Sequence, residues 1–226
     1  MEIDLQPLWL TFKLASITTV CLLIIGLPLA ALLAQSRWKL KSIAEALISL
    51  PLVLPPSVLG FYLLLALSPA HGFGALLQSW FNVRLVFTFP GLVIGSIIYS
   101  LPFMVHPIQG GLEALPESLQ QASWTLGRSK TDTFFKVLLP NIRPALLTGI
   151  VLTFAHTLGE FGLVLMIGGS LPGVTKVASI AIYNEAEALN FHAAHVYSAV
   201  LLVISFCILL LVYIINKRLI KNRLAL

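Results

Sequence analysis

Apolar positions along this chain fall into long continuous runs, not into the alternating or three-to-four spacing of half-buried elements. Five runs stand out, at residues 8–34, 43–67, 88–111, 144–168 and 196–216. Each is about as long as the roughly 20 residues a helix needs to cross some 30 Å of hydrocarbon. The pattern predicts an all-α, polytopic membrane bundle of about five transmembrane helices. No internal repeat, low-complexity stretch or linker interrupts it, which predicts one domain over residues 1–226. The first run follows Glu2 and Asp4, lacks a basic leader and is too long for a signal peptide, so it reads as a retained span.

The polar segments between the runs alternate in charge. Arg37, Lys39 and Lys41 follow the first run; Arg128, Lys130, Lys136 and Arg143 follow the third; Lys217, Arg218, Lys221 and Arg223 follow the last. Eleven of the 14 basic residues therefore collect on one side, and by the positive-inside rule that side is the cytoplasm, with the N-terminus outside and the C-terminus inside. The opposite segments, 68–87 and 169–195, carry only Arg84 and Lys176. Their partly apolar stretches, Ala75 to Val83 and Val177 to Leu189, predict short helices lying at the membrane interface.

Composition agrees with the pattern. With 58% hydrophobic and 10% charged residues and a mean hydropathy of +0.95, a soluble domain is excluded. The net charge of +5 would suggest nucleic acid in a soluble protein, but here topology accounts for it and no nucleic-acid partner is expected. Cys21 and Cys207 lie inside apolar runs and offer no metal or disulfide spacing. His71, His192 and His195 fall in external segments and His106 near the end of the third span; their scatter is no metal site.

The loop over 113–143 has strong helix grammar. Pro116 suits a first turn, Glu117 complements the positive helix end and Gly127 suits a left-handed C-cap, which together predict a helix over 116–126. Leu115, Leu119, Ala122 and Leu126 form a narrow apolar stripe that needs a docking surface. Around it stand Gln121-Ala122-Ser123, three residues, Gly127, nine residues, then Val137-Leu138-Leu139-Pro140. This spacing resembles the EAA loop of bacterial ABC-importer permeases, with Gln121 for Glu, Ser123 for Ala and Val137 for Ile. The resemblance implies the type I (MetI-like) permease fold and a coupling helix that inserts into a separate ATPase subunit, with Gln121, Ala122, Ser123, Gly127, Leu139 and Pro140 as coupling residues. Gln121 offers hydrogen bonds without the charge of the family Glu. The bland alternative is an amphipathic loop on the inner leaflet.

Within the second run, Pro51, Pro55 and Pro56 remove amide donors where a helix would run, and Ser57 follows them. Lipid cannot satisfy the freed backbone groups, so the break is expected to face the bundle interior near a translocation path; a purely structural kink is the alternative. The stretch Leu50 to Leu65 resembles the second-span signature of molybdate permeases.

In the fourth run Thr153, His156 and Glu160 stand one helical turn apart, inside the hydrocarbon depth, where polar groups are expensive unless paired or wetted. Two readings stay open: a path-lining pair, or a buried structural pair beside Gly159 and Gly162 that tolerate close backbones. An ionised, exposed Glu would repel an oxyanion. The segment Leu158-Gly159-Glu160-Phe161-Gly162 resembles the LGEFG or LGEYG segment of molybdate and sulfate permeases.

No G-x-x-x-x-G-K-[ST] loop is present to cradle a nucleotide, so energy must come from a partner or a gradient. A gradient-driven transporter usually shows paired halves and more intramembrane ionisable groups. The resemblance, covering about Leu10 to Tyr213, implies a permease and no enzyme: catalytic residues, cofactor and metal on this chain none, ATP and Mg on the partner ATPase. It also implies a second copy of the chain and a periplasmic or lipoprotein molybdate-binding protein outside a bacterial inner membrane. A sulfate, thiosulfate or tungstate permease is the neighbouring alternative; an ATP-independent channel or scaffold is the alternative of a different class.

Overall fold

The computed structural model describes residues 4–36 and 38–224, with side chains as far as Ile215. Arg37 and the side chains of Lys217, Arg218, Lys221 and Arg223, counted above in the charge asymmetry, lie outside the described residues. Every regular element among the described residues is helical: α1 (Gln6–Gln35), α2 (Lys41–Val53), α3 (Pro56–Leu67), α4 (Gly72–Phe81), α5 (Phe89–Glu113), α6 (Glu117–Thr125), α7 (Lys130–Thr133), a π-helical turn (Phe134–Leu138), α8 (Leu139–Asn141), α9 (Arg143–Leu158), α10 (Gly162–Gly168), α11 (Ala178–Glu187) and α12 (Phe191–Leu224). Four helical stretches, Gln6–Gln35, Pro56–Phe81, Phe89–Glu113 and Phe191–Ile215, are long and apolar enough to cross a membrane. The pair Lys130–Asn141 and Arg143–Leu158, bent by 76°, makes a fifth if taken as one span.

The centre is α5. Thr88 caps it, its hydroxyl accepting from the Gly91 amide at 3.3 Å, and Pro102 and Pro107 are carried inside an otherwise continuous helix. Against it lies α1, packed so closely that a Cβ on Gly26 would stand 2.9 Å from Met104 Cγ. On another side α9 runs antiparallel: a Cβ on Gly111 would meet Ala145 Cβ at 2.5 Å. Leu22, Ala30, Met104, Val105 and Ile108 form one buried cluster, and Leu10, Leu14, Leu92, Val164 and Ile180 form a second toward the other end.

The break expected in the second run is present, and two other expectations change. The second run is two helices, α2 and α3, with only Leu54 and Pro55 between them. Pro51 is accommodated and buried inside α2; Pro55 caps α3 and Pro56 takes its first position, where a missing amide is harmless. The fourth run is also two helices, since α9 stops at Leu158 and α10 starts at Gly162. Finally, α11 is no interfacial helix. Ala178, Ile180 and Ala181 are fully buried, and the Ala178 amide donates to Thr11 Oγ1 of α1 at 2.8 Å. Local amphipathicity cannot distinguish a membrane surface from a neighbouring helix, and here the neighbours won. By contrast α4 leaves Phe73, Trp80 and Phe81 exposed.

Candidate functional site

The two interrupted apolar runs lie side by side. A Cβ on Gly60 of α3 would stand 2.8 Å from Met166 Cβ and 3.1 Å from Leu163 Cα of α10, and one on Gly162 would stand 3.0 Å from Pro56 Cβ. Glycine at position 60 lets the two half-helices run this close, and at position 162 an added Cβ would be tighter than ordinary contact. The breaks themselves differ. Pro55, Pro56 and Ser57 are exposed on the surface of the single chain, so the expected orientation toward the bundle interior is corrected: α2 packs on α5 and α3 on α10, with Pro56 reaching Gly162, and the rest of the break is left uncovered. Beside it stand Val53 (81% exposed), Phe61 and Tyr62.

The second break is enclosed. Glu160 is 4% exposed and accepts from Ser96 Oγ of α5 at 2.8 Å through Oε2. Its backbone carbonyl accepts from Ser179 Oγ of α11 at 2.6 Å, while Oε1 is buried without a hydrogen-bond partner. His156 and Glu160 do not share a helical face, since the α-helix ends between them. Each is matched instead to a serine of α5: Ser100 Oγ lies 2.9 Å from His156 Nδ1 and 3.1 Å from Thr157 Oγ1. The imidazole is half-buried and stacks on Phe103, with ring centres 4.1 Å apart, and approaches Tyr99 at 4.6 Å. Thr153 is fully buried and its hydroxyl has no partner. Ser96 and Ser100 were missed in the sequence, although their four-residue spacing on α5 mirrors that of His156 and Glu160.

A second polar seam joins α2 to α5. Lys41, Glu45 and Ser49 stand at successive helical turns and meet Glu113, Gln109 and His106 in reverse order. Lys41 Nζ donates to Glu113 Oε1 at 2.8 Å, Gln109 Nε2 donates to Glu113 Oε1 at 3.0 Å and to Glu45 Oε1, and Ser49 Oγ lies 3.0 Å from His106 Nε2. The bond to Glu113 holds the Lys41 ammonium above its ordinary pKa range. His106 is thus a helix-packing residue. The regular spacing on both partners was readable; their facing was not.

At the same end, α6 forms where the sequence predicts, within one residue at each end. Gly127 has φ +76°, which only glycine adopts freely, and its amide donates to the Trp124 carbonyl at 2.9 Å. A Cβ there would meet nothing within 4 Å. Gln121, Ala122, Trp124 and Leu126 are exposed, while Leu115 and Leu119 of the same stripe are half-buried. Ser123 is turned inward, 4% exposed, with Oγ 2.9 Å from Thr133 Oγ1 of α7. Leu139 and Pro140 are half-buried, and Leu139 packs on the Met104 cluster. The exposed coupling candidates are therefore Gln121, Ala122 and Gly127; the others brace the loop. Among the described residues no group of His, Cys, Asp and Glu is arranged to hold a metal.

Residues 26–221 match the family described as "Binding-protein-dependent transport system inner membrane component". The chain belongs to that family. It is 45% identical over 212 residues to the molybdenum transport system permease protein ModB of Azotobacter vinelandii, covering 94% of each chain. Identity to the Escherichia coli K12 ModB protein is 34% over 179 residues, covering 79% of this chain and 78% of that one. The probable sulfate transport system permease protein cysT of Marchantia polymorpha is 35% identical over 207 residues, 92% of this chain and 70% of its own. Solved permeases share the fold: the MetNI methionine ABC transporter superimposes with TM-score 0.74 at 18% identity over 95% of this chain and 94% of that one. A bacterial alginate ABC transporter gives 0.78 at 16% identity over 95% of this chain and 79% of its own.

Proposed function

We propose that this chain is the permease subunit of an ATP-driven molybdate importer in the bacterial cytoplasmic membrane. The observation that carries the reading is the 45% identity spread over 94% of both chains with a molybdenum permease, against 35% over a sulfate relative of which only 70% is covered. The α6 end, where basic residues collect, faces the cytoplasm, and the chain's N-terminus lies outside. There Gln121, Ala122 and Gly127 present α6 to a separate ATPase that binds ATP and Mg, and a periplasmic or lipoprotein receptor delivers molybdate at the opposite face.

Two copies of the chain complete the conduit. In this reading the exposed break at Pro55, Pro56 and Ser57, along with the helix bearing Pro51, borders the path between the copies. Glu160 holds the α9–α10 break against α5 behind it, with Thr153 buried in α9 on the same side, and half-buried His156 lies between the two zones. Selectivity then resides largely in the receptor, since a conduit needs release as well as entry.

Radiolabelled molybdate uptake by cells lacking the gene, with and without this chain restored, tests the substrate. Restored molybdate uptake that excess sulfate leaves intact is expected; rescue of sulfate growth alone would favour the sulfate reading that the 34–36% relatives support. Gly127→Trp tests the coupling. Because a side chain there projects into open space, the expected result is a folded permease that no longer co-purifies with its ATPase or transports. Gly127→Ala carries the same backbone strain, about 1–2 kcal/mol, without the bulk, and should retain both.

A further inference from the structure

Toward the α6 end, the last turns of α1 and the segment after α6 enclose a groove of about 670 Å³. Leu27 and Ala31 form one wall and Phe134 and Phe135 the other, while Gln35 and Lys130 stand at the polar end. The two rings meet edge to face, with centres 5.2 Å apart, on the π-helical turn, a rare geometry that concentrates at functional positions. Along the groove and beyond it α1 presents bare apolar surface, with Leu32 of its lining 70% exposed and Ile24 outside it 68% exposed. Hydrocarbon is the natural cover for that surface, so the groove opens into the bilayer. At its polar end Lys136 is paired to Asp132 at 2.6 Å, whereas Lys130 is exposed and makes no ion pair among the described residues.

An apolar slot open to lipid and ending at an ammonium that has no ion pair among the described residues complements one kind of molecule, a lipid whose headgroup is negative. We infer that the groove binds an anionic phospholipid of the inner leaflet, with an acyl chain between α1 and the Phe134–Phe135 wall and the phosphate on Lys130. The leaflet assignment rests on the permease topology proposed above.

Native mass spectrometry of the permease, purified with the subunits that accompany it and titrated with phosphatidylglycerol, phosphatidylcholine or inorganic phosphate, tests this. Wild type is expected to retain phosphatidylglycerol at least fivefold over phosphatidylcholine and to hold no inorganic phosphate. Lys130→Gln should abolish that preference, Ala31→Trp should reduce retention of both lipids, and Lys39→Gln should change neither. Equal retention of the two lipids by wild type, variants indistinguishable from it, or a photo-crosslinker at Phe135 that captures the ATPase or a second permease instead of lipid would overturn the assignment. The readout needs no transport, so a wrong substrate reading would appear in uptake and leave lipid retention unchanged.

Discussion

The α2–α3 and α9–α10 breaks interrupt two neighbouring spans and touch at Pro56 and Gly162, yet they solve opposite problems. The proline break has no buried side chain to satisfy and faces outward, bare. The glycine break carries a carboxyl into the protein, where Ser96 of α5 donates to it while Ser179 of α11 donates to the Glu160 backbone carbonyl. The comparison teaches that a discontinuity in a membrane helix is not by itself a path. One of these breaks leaves its surroundings exposed on the surface of the chain, and the other closes them.

The contact between the breaks gives the largest expected effect. Gly60→Ile would push against Met166 and the Leu163 backbone, overpacking the α3–α10 pair by about 3 kcal/mol. Purified transporter should melt at lower temperature, and transport should fail with it. A smaller effect separates the interiors of the two breaks. Ser96→Ala leaves the Glu160 carboxyl with no side-chain donor and should cost about 2 kcal/mol. Ser57→Ala in the exposed break should stay within about 0.5 kcal/mol. Equal melting temperatures for the two alanine variants would erase the distinction.

The proline break was legible because proline forbids the helical bond whatever surrounds it. What the sequence could not supply was its direction, since a span's orientation depends on which face its neighbours cover, and Gly60 reads only as a small residue until Met166 is placed against it. The glycine break was not legible. Gly159 and Gly162 are equally at home in a continuous packed helix, so the spacing of His156 and Glu160 pointed to a shared face that the end of α9 at Leu158 removes. The α6 loop was read almost residue by residue because Pro116, Glu117 and Gly127 act locally. Ser123 was misjudged as a docking residue for the complementary reason: its inward turn is set by Thr133, ten residues on.

The central claim, that the conduit is bordered by the proline break and not by the glycine break, is tested most directly by thiol accessibility in membranes. With Cys21 and Cys207 replaced, Ser57→Cys and Ser96→Cys are each exposed to a membrane-impermeant, water-soluble methanethiosulfonate reagent while molybdate uptake is followed. Rapid labelling at Ser57→Cys that blocks uptake, with Ser96→Cys unreactive, is the predicted result; labelling of Ser96→Cys with Ser57→Cys inert would contradict it.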